Sequence, residues 1–156
     1  MKKLEDCIES DECKKFFFRQ EMGKRFTLQS TNVFSCKIVD IDSCVFKNTT
    51  LRRCDYLFLV PKNDINKEYF ENSKAYYVEL KGINISYACE QLYNAIAKTK
   101  QGILNYDIEA KVIAVKGFQP KILNNEYFRK VKKMIKKEIV FHKVHKGNNF
   151  NHIELI

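Results

Sequence analysis

Two short apolar segments constrain this chain more than any other feature: 53–60 (RCDYLFLV), stopped by Pro61, and 75–81 (AYYVELK), stopped by Gly82. Both are too short for a stable helix and rich in aromatic and branched residues, so both read as strands. The polar stretch between them has no periodicity and exceeds most hairpin loops in length. Two strands joined this way most simply pair antiparallel, with an ornamented turn. After Gly82, residues 86–101 change to a helical period. Ala88, Leu92, Ala95, Ile96 and Thr99 share one face, Ser86 is a suitable N-cap, and Gly102 is a stop. Residues 108–115 (IEAKVIAV) return to a strand, and strand, helix and strand in series imply a parallel pair.

The flanks are read in the same way. Residues 4–22 place Leu4, Ile8, Glu12 and Phe16 on one stripe before Gly23, which predicts an opening helix. Residues 34–46 alternate loosely and predict one bent strand or two short ones. Residues 125–140 predict an amphipathic helix, with Phe128, Val131, Ile135 and Ile139 inward and lysines on the opposite side. The tail after Lys146 is Asn-rich, with 153–156 suited to a short edge strand. The whole is an α/β chain, expected to form a single domain over 1–156.

Composition sets the outer bounds. A chain of 156 residues, 45% apolar with 5 Gly and 2 Pro, is neither disordered nor fibrous and can bury a core without staples. Its longest apolar run, 56–60, falls far short of the roughly 20 residues that span a bilayer. An acidic stretch follows Met1-Lys2-Lys3 where an export signal would be apolar, so a cytoplasmic chain is expected. The six cysteines then read as reduced thiols. None forms a Cys-x-x-Cys pair, the Cys7/Cys13 and Cys36/Cys44 spacings are wide for a zinc knuckle, and Cys36, Cys44, Cys54 and Cys89 suit small apolar positions.

Charge is unevenly spread. The net is +9, yet residues 1–12 carry five acids against two bases, while 121–146 carry nine bases against two acids. A basic face suits a phosphate polymer, an anionic surface or an acidic protein; a merely solvated face is the bland alternative.

The chemistry concentrates on the two apolar strands. Glu79 and Lys81, one residue apart, must project from one face of the sheet. If Asp55 lies opposite 79 or 81, all three side chains meet; opposite 80, a one-residue slip separates them. Two adjacent carboxylates need a cation or a shared proton. Oxygen ligands suit Mg²⁺ or Mn²⁺, and a metal beside a lysine can hydrolyse a phosphodiester. Simple pairing with Arg52, Arg53 or Lys81 is the alternative.

Asp55 in RCDYL, the VELKG run 78–82 and the following helix with Glu90-Gln91-Leu92 resemble the PD-(D/E)xK nuclease superfamily. The resemblance implies a restriction-endonuclease-like αβββαβ core, a mixed central sheet flanked by helices. It implies catalytic roles for Asp55, Glu79, Lys81 and Gln91, with metal held by Asp55, Glu79 and the Leu80 carbonyl. A further acid would come from Glu9, Glu12, Glu21 or Asp42. Cys54, not proline, precedes Asp55. Within this resemblance Lys130, Lys133 and Lys137, about one turn apart, would hold the sugar-phosphate backbone. Tyr69 would be a base-stacking candidate. His142, His145 and His152 read as exposed tail residues.

The function so implied is metal-dependent phosphodiester hydrolysis, with DNA ahead of RNA, no membrane partner, and reach extended by homodimerisation. A non-catalytic nucleic-acid-binding or regulatory module on the same fold, and a protein whose basic helix docks an acidic partner, remain open alternatives.

Overall fold

A computed structural model describes residues 2–47, 49–61, 73–81, 84–115, 119–143 and 151–156. After a short helical turn at Glu5–Cys7 come β1 (Ile8–Glu21), β2 (Lys24–Asp40), β3 (Tyr56–Val60), β4 (Ser73–Lys81), α1 (Ile85–Thr99), β5 (Tyr106–Ala114), α2 (Glu126–Ile135), β6 (Val140–Lys143) and β7 (Asn151–Leu155). The strands form one mixed sheet in the order β1-β2-β3-β4-β5-β6, with β7 paired to β2. β1, β2, β3 and β4 pair antiparallel in succession; β4, β5 and β6 are mutually parallel, and β7 runs parallel to β2.

The first correction is at the N-terminus. Residues 4–22 are not a helix: β1 pairs with β2 in a long hairpin turned by Met22 (φ 46°) and Gly23 (φ 77°). Two successive left-handed residues give the turn whose twist matches paired strands, and glycine is suited to it. The helical stripe was coincidental. In 16–18 only Phe17 is buried, with Phe16 and Phe18 turned outward, which is the period of a strand. β1 has few other inward side chains, and Lys14 and Lys15 on it blunt an exposed sheet edge. The expected αβββαβ order therefore lacks its opening helix. What holds is an α/β fold with a mixed sheet.

Both helices cover one face of that sheet. Ala88, Leu92, Ala95, Ile96 and Thr99 of α1 are buried against Leu57, Leu59, Tyr77 and Val112, and Phe128, Val131 and Ile135 of α2 extend the same core. Truncating Leu92 here would cost about 2–5 kcal/mol. Asn84, not Ser86, caps α1 by accepting from the Tyr87 N–H, and Asn125 caps α2 from Phe128 N–H. α2 also stops sooner than the sequence period suggests: Lys136 adopts φ 55° and residues 140–143 become β6. The apolar stripe continues through the buried Ile139, which is why the helix and the strand read as one element.

The other face is covered by the chain itself. β2 pairs with β3 through 37–40 and with β7 through 25–29, so its first half curls over the sheet. There Phe26 meets Phe58 edge to face at 5.2 Å, among Phe17, Leu28, Phe34, Val78 and Leu80. β7 continues this layer. His142 and His152 are not exposed tail residues: their rings stack at 3.3 Å between centroids, both partly buried. His145 and Tyr69 lie outside the described residues.

The cysteines need a second correction. Cys7 and Cys44 are joined in a disulfide, with Cα atoms 5.6 Å apart. The opening turn and the short helical turn Ile41–Val45 bring them together from 37 positions apart, so neither spacing nor local pattern could reveal the pair. Cys36, Cys54 and Cys89 are free and buried, as small apolar residues would be.

Candidate functional site

The register between β3 and β4 decides the site. Tyr56 pairs with Val78 and Leu57 with Tyr77, so one further step sets Asp55 opposite Glu79. Asp55 precedes β3 by one residue. Its carboxylate turns to the end of β4, where the Leu80 N–H donates to Asp55 Oδ2 at 2.6 Å. In an extended strand a residue's N–H and C=O share an edge. The Leu80 carbonyl is therefore aimed at this same edge, beyond the start of β3.

Glu79 and Lys81 share the helix-covered face. Lys81 Nζ stands 3.4 Å from Glu79 Oε1 and donates to Gln91 Oε1 at 2.6 Å. Gln91 in turn donates through Nε2 to the Arg53 carbonyl at 2.8 Å. One amide thus ties the segment before Asp55 to the lysine after Glu79, from the second turn of α1. Asn94, one turn later, donates to the Arg52 carbonyl at 2.7 Å and reinforces the same seam. The role of the Arg53 carbonyl was not readable from sequence, because a backbone acceptor leaves no residue-type signal.

The electrostatics are dominated by burial. Glu79 is 1% exposed, and its Oε2 is buried without a hydrogen-bond partner among the described residues. Burial pushes the Asp55 carboxyl well above its ordinary range, and the Glu79 charge pushes it further, against the stabilising Leu80 N–H. Burial raises Glu79 as well, partly offset by Lys81. Beneath them the Cys54 thiol is fully buried and held up by desolvation, then by the charges of Glu79 and Asp55. It stays a neutral thiol and fills the position before Asp55 as a small apolar group.

Of the four candidates for a further acid, the geometry favours Glu21. The curled hairpin brings its tip to Asp55, where the Glu21 carboxyl interacts directly and also acts on Glu79. Asp42 influences Glu79 but is held by Arg53 Nε at 2.8 Å. Glu9 pairs with Arg19 at 2.8 Å, and Glu12 with Lys14.

The three lysines assigned to backbone contact do not form one row. Lys130 pairs with Glu126 and lies over the rings of Tyr93 and Tyr127. Lys133 is exposed on α2. Lys137 lies past the end of the helix and reaches Asp107 Oδ2 on β5 at 2.5 Å. The left-handed Lys136 turns the chain between them. Among the described residues, no helix is long and apolar enough to cross a membrane.

Two carboxyls, a lysine and a strand-edge carbonyl at one end of a β-hairpin can hold a hard dication and a water. Comparison with family models, curated proteins and solved structures finds no match for the chain.

Proposed function

We propose that the chain is a metal-dependent nuclease of the PD-(D/E)xK type, built on a restriction-endonuclease-like core whose opening helix is replaced by the β1–β2 hairpin. The observation that carries the reading is Glu79 Oε2, buried without a hydrogen-bond partner among the described residues, on the residue that stands opposite Asp55 in the register. A protein rarely leaves such an atom without a donor; a proton can occupy it in the empty site, and a dication would replace that proton.

The residues fit a hard dication. Asp55, Glu79 and the Leu80 carbonyl would hold Mg²⁺ or Mn²⁺, an all-oxygen set that suits either ion and leaves room for waters. When bound, the ion supplies polarisation of the phosphoryl group and a more acidic water. Lys81 sets a positive charge beside that position and neutralises charge gained by a phosphoryl oxygen. Gln91 fixes the lysine head through the bond it accepts. Hydrolysis forms a bond from water oxygen to phosphorus and breaks the ester bond to the departing sugar oxygen, which takes a proton. Glu21, at the hairpin tip, is the further acid of this reading.

The net charge of +9 supports a polyanionic substrate, with DNA the first candidate. The test is cleavage of labelled single-stranded, duplex and branched DNA, and of RNA, with Mg²⁺ or Mn²⁺. Turnover that is lost in EDTA supports the reading. Salt-sensitive binding without turnover in any metal would favour the non-catalytic alternative.

A further inference from the structure

On the opposite face of the sheet lies a second constellation with different donors. His142 pairs in register with Ile113 and shares its face, while Glu79 pairs with Val112 on the other. His152 and Glu154, two apart on β7, point the same way and meet His142. We propose that His142, His152 and Glu154 bind a transition-metal dication, with Zn²⁺ as the fitting ion, which fastens β7 to β6.

Three observations carry this. One ligand atom from each residue lies within 4.8 Å of the other two. His152 Nε2 and Glu154 Oε2 are 3.2 Å apart, and a tetrahedron with bonds of about 2.0 Å has edges of about 3.3 Å. His142 Nε2 is buried without a hydrogen-bond partner, so one donor of the set has nothing to bind among the described residues. Two imidazoles and one carboxylate favour zinc over the magnesium suited to the all-oxygen site.

The surroundings are those of a ligand set held from behind. Glu154 Oε1 accepts from Lys111 Nζ at 3.0 Å, which leaves Oε2 turned to His152 Nε2. Lys111 also pairs with Glu109 Oε2 at 3.0 Å, which offsets part of its charge. This arrangement orients the carboxylate as outer-shell partners commonly do. The imidazoles stack at an interplanar angle of 23°, so holding one ion through both would require the His142 ring to turn out of the stack. β6 bonds to β5 and β7 to β2, so a shared ion would join two strands that do not pair with each other. The fourth position is left to water.

The test uses the full chain, stripped with a chelator and titrated with Zn²⁺ by calorimetry and with Co²⁺ by absorption. One Zn²⁺ per chain should bind and raise the thermal midpoint. Co²⁺ should give visible bands of a four-coordinate N/O site without the near-ultraviolet thiolate band. Glu154→Gln and His142→Gln should each weaken Zn²⁺ binding by at least about tenfold. Circular dichroism shows which variants fold, and either one suffices. Cys13→Ser, altering an exposed free cysteine, should bind as the unaltered chain does. Absence of saturable Zn²⁺ binding, unchanged affinity in a folded variant, or a thiolate-to-cobalt band would overturn the proposal.

Discussion

Asp55 stands across from Glu79, and its carboxylate is caught by the N–H of the next residue on β4, Leu80. A buried acid, Glu79, and a partly buried one, Asp55, are thereby set together, with Lys81 at 3.4 Å from Glu79. Their raised protonation has a consequence for stability. Unfolded carboxyls titrate near 4. A folded pair held above that range keeps protons that the unfolded chain has released, so its contribution falls as pH rises through neutrality. Glu79→Gln removes the charge and keeps the shape. It should raise apo-protein stability at pH 8 by about 1–3 kcal/mol, with the difference fading toward pH 4. Urea unfolding across that range measures it; a variant less stable at pH 8 than at pH 4, relative to the unaltered chain, would reverse the sign.

Lys81 depends on Gln91 for its placement. Lys81→Ala should lower cleavage by on the order of 10²–10⁴-fold while leaving nucleic-acid affinity nearly intact. Gln91→Ala should lose less, about tenfold to a hundredfold, because the ammonium remains but is unanchored. Single-turnover rates against binding constants separate these effects. Equal losses in binding and rate would assign both residues to substrate affinity.

The Cys7–Cys44 bridge closes a loop of 37 positions between the opening turn and the turn after β2. Closing a loop of that length restricts the unfolded chain by about 3–4 kcal/mol. Dithiothreitol, or Cys7→Ser, should lower stability toward urea by up to that amount. Intact-mass analysis under non-reducing conditions checks the bridge directly. An unchanged midpoint on reduction would remove it from the account of stability.

The lysines of the C-terminal basic segment should not be equivalent. Lys137 is engaged with Asp107, whereas Lys133 projects from α2. If this face binds a phosphate backbone, Lys133→Ala should reduce the slope of log affinity against log salt by about 0.7–0.9. Lys137→Ala should change it less. Fluorescence anisotropy over a salt series provides the comparison, and identical slopes would place the backbone elsewhere.

The central hairpin, α1 and β5 were legible because each carries a strong period, and Pro61 follows the first strand; α1 ends at Thr99 and passes into a further helical turn, Lys100–Ile103, that takes in Gly102. The even register could be posed from sequence as a condition, since period two leaves only two outcomes for Asp55. The opening hairpin was not legible. β1 turns most of its side chains to solvent, so burial wrote little pattern into it, and a chance stripe of Leu4, Ile8 and Phe16 mimicked a helix. The end of α2 was hidden for the opposite reason, because Ile135 and Ile139 are both buried across a change from helix to strand. The Cys7–Cys44 bridge joins two short turns 37 positions apart, and the His142–His152 stack joins two strands that do not pair with each other, so neither leaves a local pattern in the sequence.

The most direct measurement is a cleavage assay on purified chain with Mg²⁺ or Mn²⁺, run beside Asp55→Asn and Lys81→Ala variants shown to be folded. The account predicts metal-dependent phosphodiester cleavage by the unaltered chain and its near-complete loss in both variants. Absence of cleavage on every DNA and RNA form, or cleavage that persists equally in both variants, would contradict it.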